Sequence, residues 1–193
     1  GPKADVEAAG MLWVLFALFL GTPAQQQADA AARRSPADVT VRIAVIGQLC
    51  RSVKAANTFP QALQTIFECI YGTASSTKIK QAGMQFAVWT LRNATDEVLP
   101  PIAPVILSGL VKFLNTMSNE MEGGHAAICQ LRGFTYSAMG QMAQRVPALF
   151  EADTSIAKML FTALSAEAPE VRVSVQEAVS MSCAAYKSAS GAA

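Results

Sequence analysis

The sequence has little of what catalysis or metal binding requires. It contains a single histidine, His125, and its four cysteines form no Cys-x-x-Cys pair, so no group of four zinc ligands is close together along the chain. The Gly-x-Ser-x-Gly elbow of serine hydrolases and the Gly-x-x-x-x-Gly-Lys loop that binds phosphates are also absent. We therefore predict that the chain is not an enzyme and that it has no catalytic, cofactor-binding or metal-binding residues.

An excess of charge of one sign is also lacking. The 193 residues include 15 lysines and arginines against 14 aspartates and glutamates, a net charge of +1, and the basic residues are scattered along the chain. Proteins that bind nucleic acid usually carry a strong and clustered positive charge. Because 52% of the residues are hydrophobic, the composition predicts a globular protein that does not bind nucleic acid.

The cysteines and the histidine are expected to be structural residues only. Cys50, Cys69, Cys129 and Cys183 each fall within an apolar helical stretch, where an unpaired cysteine behaves as a small buried hydrophobic residue. Free thiols rather than disulfides fit a reducing compartment, so we expect a cytoplasmic or nuclear protein. His125 follows two glycines, and we expect it to be a solvated loop residue.

Several large apolar residues lie at helical spacing and are expected to fill the core. A tryptophan that keeps one face exposed would be a candidate hot spot for protein binding, but the sequence assigns no residue to partner binding. The residues expected in the core or at its edge are Trp13, Trp89, Met139, Met142, Met159 and Met181.

Long apolar runs are few, and one segment could suggest a membrane. This segment is Met11 to Leu20, whose ten residues are too few to cross a bilayer, since a membrane-spanning helix needs about 20. The residues before it are acidic rather than basic, which argues against a signal peptide. Gly1-Pro2 resembles the remnant of a cleaved tag. We expect a leader at 1–6 followed by a buried helix, and the alternative is a small membrane-tethered helical protein.

Strand signals are almost absent, because the sequence has no sustained alternation of apolar and polar residues and no Asn-Gly or Asp-Gly turn. Proline, glycine, serine and asparagine divide the chain into about eight helical segments. We expect Ser75 or Ser76 to cap the fourth helix and Asp153 or Thr154 to cap the seventh. The expected helices cover about 7–20, 37–56, 60–72, 77–93, 100–117, 125–145, 155–165 and 169–187.

An internal repeat indicates the architecture. The even-numbered helices share an aliphatic residue followed by a base, at Val41-Arg42, Ile79-Lys80, Leu131-Arg132 and Val171-Arg172. The steps between successive bases are 38, 52 and 40 residues, which bracket the roughly 40 to 47 residues of HEAT and armadillo repeats. The spacing predicts an all-α fold, an α-solenoid of about four HEAT-like antiparallel helix pairs.

The four bases could form a ladder that contacts a partner. In stacked repeats, however, such residues commonly pair with acids or carbonyls of the adjoining repeat, and we favour that structural role. An apolar stripe follows each base and is expected to face the core. The stripe comprises Val41, Val45, Leu49 and Val53 in the second helix, and Val171, Val175, Ala178, Val179 and Cys183 in the eighth.

One helix pair cannot enclose its own apolar face, but stacked pairs form a continuous core in which each pair contacts its neighbours. Such a solenoid is a scaffold that binds partners on long open surfaces, and its ends are expected to self-associate. A single four-helix domain is the alternative. The expected division is a leader at 1–6, pair 1 at 7–57 with a polar linker at 22–35, pair 2 at 58–95, pair 3 at 96–146, pair 4 at 147–187 and a frayed tail at 188–193.

The segment from Glu170 to Met181 is distinctive. It reads Glu-Val-Arg-Val-Ser-Val-Gln-Glu-Ala-Val-Ser-Met and is followed by Ala185-Tyr186. Together with several other segments, it resembles the family of proteasome-associated HEAT-repeat adaptors and scaffolds. The resemblance covers about 40–187, whereas the first 39 residues match poorly beyond one apolar helix and the loop at 120–124 is expanded. Other segments that agree in order are Thr58-Phe59-Pro60, Tyr71-Gly72-Thr73, Met84-Gln85-Phe86, Tyr136 to Gly140 and Val146 to Phe150.

The resemblance implies a non-catalytic adaptor that associates with the 26S proteasome and bridges or stabilises its core and regulatory particle. Its expected partners are proteasome subunits, its expected location is the cytoplasm or the nucleus, and no cofactor comes with it. A helical-repeat protein of another pathway, such as nuclear transport or vesicle coats, would share the physical features above and remains the alternative. The family's members are very large, so the chain would be a fragment.

Overall fold

The computed structural model describes residues 2–21, 37–72, 75–117 and 123–190. Within these residues the regular elements are ten α-helices and no strands, so the all-α prediction is confirmed. The helices are α1 Pro2–Leu20, α2 Val39–Leu49, α3 Val53–Ala56, α4 Gln61–Tyr71, α5 Thr77–Asn93, α6 Leu99–Thr116, α7 Gly124–Arg145, α8 Pro147–Ala152, α9 Thr154–Ala166 and α10 Pro169–Ser190.

Side-chain caps fix the starts of two of the predicted helices. The Ser76 hydroxyl accepts a hydrogen bond from the Ile79 N–H at the start of α5, and the Asp153 carboxylate accepts one from the Ser155 N–H at the start of α9. Each oxygen satisfies a backbone donor that a helix start leaves unpaired. Both residues are among the predicted caps.

The two ends of the chain differ from the prediction. Helix α1 begins at Pro2, so residues 2–6 are helical and extend the predicted first helix. A proline fits the first position of a helix because the N–H that it lacks would be unpaired there. Helix α10 continues to Ser190, beyond the expected start of the frayed tail at 188. The predicted polar linker at 22–35 and residues 191–193 lie outside the described residues.

The predicted helix at 37–56 is two helices. The chain turns after Leu49, and the Ser52 hydroxyl accepts a hydrogen bond from the Ala55 N–H to cap the short helix α3. The Trp89 indole N–H of α5 also donates to the Ser52 carbonyl oxygen, at 3.0 Å. Serine side chains that bond to nearby backbone compete with helix continuation, which explains why the apolar pattern alone missed this break.

The buried face of α2 is rotated from the predicted stripe. Val45 and Leu49 are buried as expected, but Val41 and Val53 are exposed, and Arg42 is buried in their place. At the start of α2, the buried position is therefore one residue later in the sequence than predicted. In α10 the predicted stripe is correct as far as Ala178, after which Ser182 and Ala185 are buried and Cys183 is exposed.

The helices pack in the serial order expected of a solenoid. Helices α2, α5, α7 and α10 form one row in which each packs on the next, and α1, α4 and α6 form a second row beside it. The two rows are joined by the contacts of α1 with α2, α4 with α5 and α6 with α7. At the end of the chain, α9 packs on α10 in the same way. Among the described residues, the extensive contacts therefore lie within one helix pair or between consecutive pairs.

The helices of the first row run parallel to one another. The Gln81 side chain of α5 donates a hydrogen bond to the Gln130 side chain of α7, and these residues are 49 positions apart in the sequence. The Thr135 hydroxyl of α7 contacts the Met84 sulfur of α5, and these residues are 51 positions apart. Farther along the row, Gly133 of α7 faces Ser174 of α10. A row of parallel helices with nearly constant register is the geometry that stacked repeats produce.

Glycines allow the closest helix approaches. A Cβ at Gly83 in α5 would lie well inside 3.0 Å of the Cys69 side chain in α4. A Cβ at Gly140 in α7 would lie 2.7 Å from the Met181 sulfur and 3.1 Å from the Ala178 Cα in α10. The first contact lies inside a helix pair and the second lies between pairs. Both kinds of interface therefore need a glycine, which has no Cβ.

Helix α6 is the one described helix that is long and apolar enough, by length and composition alone, to cross a membrane. It spans 18 residues and contains Pro104 in its interior. Its buried residues pack into the common core with α4 and α7, and a core helix of this kind meets the same criterion. The segment that the sequence singled out, Met11–Leu20, lies within a shorter apolar helical stretch, Ala9–Leu20.

Candidate partner-binding surfaces

The four repeated bases share one structural position. Three of them lie near the start of the second helix of a pair, and Arg132 lies in the third turn of α7. Each meets the end of the first helix of its pair. The Lys80 ammonium donates to the Ile70 carbonyl oxygen at 3.1 Å. The Arg172 guanidinium donates to the Glu167 backbone carbonyl at 2.8 Å and to the Ser165 carbonyl at 3.4 Å. A cation at the C-terminus of a helix satisfies unpaired carbonyls and interacts favourably with the helix dipole.

Arg42 is the most buried of these bases, with 2% of its surface exposed. Its guanidinium carbon lies 4.4 Å from the centre of the Phe19 ring, at the end of α1, and one of its nitrogens is 3.9 Å from the Glu68 carboxylate of the next pair. A guanidinium over an aromatic face is stabilised by the ring quadrupole, more so when water is excluded. This contact fixes α1 on α2.

Arg132 is the centre of the densest polar cluster. Its Nε donates to both carboxylate oxygens of Glu167, at 3.0 and 2.8 Å, and its Nη2 also contacts Glu167. Its Nη1 donates to the Leu114 carbonyl oxygen at the end of α6, at 3.0 Å, and the Tyr136 hydroxyl donates to Glu167 at 2.6 Å. The cluster therefore ties α6 and α7 to the connection between α9 and α10.

The protonation states of this cluster follow from its contacts. Burial opposes ionisation of Glu167, but hydrogen bonds from Arg132 and Tyr136 outweigh it and hold the pKa of this carboxyl below its ordinary value. The hydrogen bond to Glu167 raises the pKa of Arg132. Burial, followed by the bond to Glu167, raises the pKa of Tyr136. At neutral pH the cluster is thus an ion pair with a neutral phenol.

The predicted structural role of the bases is confirmed, with one correction about their partners. We expected them to pair with the adjoining repeat, but the carbonyls that Lys80, Arg132 and Arg172 bind belong to their own helix pair. Among the described residues, Arg42 reaches the Glu68 carboxylate of the next pair, and Arg132 reaches the Glu167 carboxylate of the next pair. The reason is geometric, because the start of a second helix lies beside the end of the first. These charges are engaged within the protein.

The structure places His125 in the first turn of α7, which corrects the predicted loop position, although its side chain is exposed as expected. Cys129 follows one helical turn later, and its sulfur is 3.4 Å from the His125 Nε2. Glu170 of α10 completes a group whose potential ligand atoms all lie within 4.8 Å of one another. In three dimensions His125 therefore lies close to a cysteine and a carboxylate.

The four cysteines are free thiols, as predicted. Burial raises the pKa of the Cys50 thiol to about 11 and that of the Cys69 thiol to about 12, so both are protonated at neutral pH. Cys69 and Cys129 are buried, Cys50 is half-buried and Cys183 is exposed, which corrects the expectation that all four are buried.

The predicted core residues are mostly confirmed. Met139 and Met142 are fully buried, Met159 packs against the core, and the Met181 sulfur lies over Gly140. Trp89 is half-buried at the edge of the core.

Trp13 corrects the prediction, since 58% of its surface is exposed. The segment around it is apolar on all sides, and only the face with Leu12, Phe16 and Phe19 packs against the neighbouring helices. Periodicity cannot choose the buried face of a helix that is apolar all round.

Exposed apolar side chains concentrate at the ends of the stack. In the first pair, Met11 and Trp13 have 68% and 58% of their surface exposed, and Val14 and Leu18 lie beside them on α1. In the last pair, Phe161 of α9 and Val173 of α10 are exposed. Patches of this kind mark surfaces that bind other apolar surfaces.

We predict that the chain self-associates through the exposed face of α1. Its weight-average mass from light scattering should rise above 20.4 kDa with concentration, because apolar area removed from water drives association. The double variant Trp13→Ser, Leu18→Ser should move the mass toward that of the monomer. The matched control is Val53→Ser, since Val53 is also exposed but belongs to α3. A monodisperse monomer at every concentration would contradict this prediction.

A second surface, which the sequence did not indicate, is a shallow groove of about 450 Å³ between α4 and α6. The Tyr71 hydroxyl donates to the Gly109 carbonyl oxygen at 2.5 Å across it, and the Lys112 ammonium lies 5.4 Å from the centre of the Tyr71 ring. The groove is thus mostly apolar with a cation at its edge. Its lining residues are Phe67, Tyr71, Pro104, Val105, Ser108, Gly109 and Lys112.

Serially packed helix pairs, with the same base-to-helix-end contact in each pair, define a helical-repeat α-solenoid. This class of protein presents extended surfaces to partners. A sequence model of the family described as "Proteasome component ECM29, N-terminal" matches residues 2–193. The chain belongs to this family. No solved structure matches the chain.

Three curated relatives carry similar descriptions. The human "Proteasome adapter and scaffold protein ECM29" is 32% identical over 160 residues, which cover 83% of this chain and 8% of the relative. The Drosophila melanogaster "Proteasome-associated protein ECM29 homolog" is 28% identical over 165 residues, 86% of this chain and 8% of the relative. The Schizosaccharomyces pombe "Proteasome component ecm29" is 30% identical over 144 residues, 74% of this chain and 8% of the relative.

The comparisons confirm the family resemblance and extend it. The family match begins at residue 2 and therefore includes the first 39 residues, in which one apolar helix was recognised from the sequence. The chain spans about 8% of the length of the curated relatives.

Proposed function

We propose that this chain is a non-catalytic, protein-binding segment of a proteasome-associated scaffold, and that it acts in the cytoplasm or the nucleus. The family match over residues 2–193 carries the proposal, because the human relative is named a proteasome adapter and scaffold. In this role the whole protein associates with the 26S proteasome and bridges or stabilises its core and regulatory particle. The partners of the chain are therefore protein subunits.

The physical features of the chain support a scaffold. Its helix pairs share burial with their neighbours and leave two long outer faces for partners. The repeated bases are engaged in holding helix ends together, so they serve the stack itself. The exposed apolar residues of α1 and the groove beside Tyr71 are the surfaces with the composition of a protein interface. The division into four pairs at 7–57, 58–95, 96–146 and 147–187 is part of this proposal.

Affinity capture from a eukaryotic lysate tests the proposal. The full-length parent protein is immobilised, and bound proteins are identified by mass spectrometry. We expect proteasome subunits of both the core and the regulatory particle. Their absence would contradict association with the proteasome.

A second version of the parent, without residues 1–193, is captured in parallel. We expect it to retain clearly less proteasome if this segment contributes to binding. An unchanged yield would show that the segment does not bind the proteasome and would contradict that part of the proposal.

A further inference from the structure

The group of His125, Cys129 and Glu170 lies where two helix pairs meet. His125 and Cys129 are four residues apart on α7, so their side chains share one face of that helix. Glu170 is in the first turn of α10, the helix that packs along α7. The group therefore joins the third and fourth pairs of the stack.

The donor atoms of this group fit a small coordination sphere. In tetrahedral zinc sites with Zn–S of about 2.3 Å and Zn–N of about 2.0 Å, the sulfur and nitrogen ligands are about 3.5 Å apart. The Cys129 sulfur is 3.4 Å from the His125 Nε2 and 3.9 Å from its Nδ1. All three potential ligand atoms lie within 4.8 Å of one another. The Glu170 side chain is exposed.

We propose that His125, Cys129 and Glu170 form a binding site for a borderline-soft divalent cation of the Zn²⁺ class, with water in the fourth position. An imidazole and a thiolate select such cations over Mg²⁺ and Ca²⁺, which prefer oxygen ligands. The bound cation links α7 to α10 and so fastens the third helix pair to the fourth.

The surroundings of the site are compatible with the charge of a cation. The negative charges of Glu170 and Glu167 act on the Cys129 thiol, whose proton has to leave when a cation binds. Binding displaces this proton to the solvent and forms the sulfur–metal bond, as in other thiolate sites. Arg132, the nearest base on α7, is already paired with Glu167.

Cobalt substitution tests the site on the 193-residue chain. The protein is stripped with a chelator and titrated with Co²⁺, and we expect a thiolate-to-cobalt charge-transfer band that saturates at one ion per chain. Added Zn²⁺ should displace the cobalt and raise the Tm. No band, or a band without saturation, would overturn the proposal.

Variants locate the site. His125→Ala should weaken Zn²⁺ binding at least about tenfold, since even the loss of a residue that only supports a ligand costs 10- to 100-fold. Because His125 is exposed, this variant should fold normally. Cys129→Ser should abolish the band, and the matched control Cys183→Ser should keep it, since Cys183 is exposed on α10.

The carboxylate has its own pair of variants. Glu170→Gln should weaken Zn²⁺ binding, and Glu177→Gln, an exposed position on the same helix, should leave it unchanged. If His125→Ala and Glu170→Gln bind Zn²⁺ as tightly as the original chain, the proposal is wrong. It is also wrong if the band depends on Cys183.

Discussion

Replacing Glu167 with alanine should lower the free energy of unfolding by about 2–4 kcal/mol, because removing one partner of a buried ion pair leaves the other without compensation. The Glu167 side chain is 10% exposed and that of Arg132 is 22% exposed, so the loss should be somewhat smaller than the roughly 3–5 kcal/mol of a fully buried pair. The Tyr136 hydroxyl also loses its acceptor.

Urea denaturation at neutral pH measures this loss. The matched control is Glu177→Ala, which removes an exposed carboxylate from the neighbouring helix α10 and should change stability by no more than about 0.5 kcal/mol. If the two variants are equally stable, Arg132 and Glu167 do not hold the third and fourth pairs together.

The same carboxylate should make the protein sensitive to acid. The pKa of Glu167 is lower in the folded chain than its ordinary value of 4.5. Its contribution to stability is therefore fully present above that value and is lost as pH falls through the folded pKa. We expect the free energy of unfolding to fall less steeply below about pH 4.5 in Glu167→Gln than in the original chain. Parallel curves for the two proteins would contradict this expectation.

Adding one carbon at Gly83 should destabilise the chain by about 1–3 kcal/mol. The new Cβ of Gly83→Ala would overlap the Cys69 side chain in α4, well inside 3.0 Å. The two helices of the second pair would have to move apart. This cost exceeds the gain of up to about 1 kcal/mol that alanine normally brings over glycine inside a helix.

Gly47→Ala is the matched control, because no atom lies within 4 Å of the Cβ that it adds to α2. It should stabilise the chain by about 0.5–1 kcal/mol. The same substitution should therefore lower the free energy of unfolding at Gly83 and raise it at Gly47. Thermal or urea unfolding measures both changes. A stabilised Gly83→Ala variant would show that α4 and α5 do not approach as closely as described.

Most of the helices could be predicted from local sequence. Ser76 and Asp153 cap helices through bonds to residues two or three positions away, so a short window contains all the information required. The break at Ser52 was missed because the apolar pattern continues through it. Likewise, Trp13 was placed in the core because α1 is apolar on several sides and its buried face depends on α2 and α4.

The candidate sites were less predictable, because their members are distant in sequence. Arg132 and Glu167 are 35 positions apart in the sequence. Nothing in the sequence distinguishes either residue from an ordinary charged residue on the surface. The repeat of aliphatic-base pairs predicted a shared structural role for the bases, but not that the end of the preceding helix is their partner. The cluster of His125 with Cys129 and Glu170 needs the packing of α7 on α10, which no local motif shows.

The family was recognised through particular residues rather than through physical pattern. The helix from Glu170 to Met181 carries the family resemblance, whereas helical periodicity and repeat spacing are common to solenoids with unrelated partners. The composition excluded nucleic acid as an expected partner, but it did not choose among protein partners.

Native-state hydrogen exchange of Val175→Ala tests the serial packing of the helix pairs most directly. Val175 is fully buried in α10, and its truncation leaves a small cavity in the fourth pair. In a stack whose pairs contact only their neighbours, amide exchange should accelerate in α9, α10 and α7 and stay unchanged in α1 and α2. Equal acceleration in all the helices, as in a domain closed around a single core, would contradict the serial arrangement.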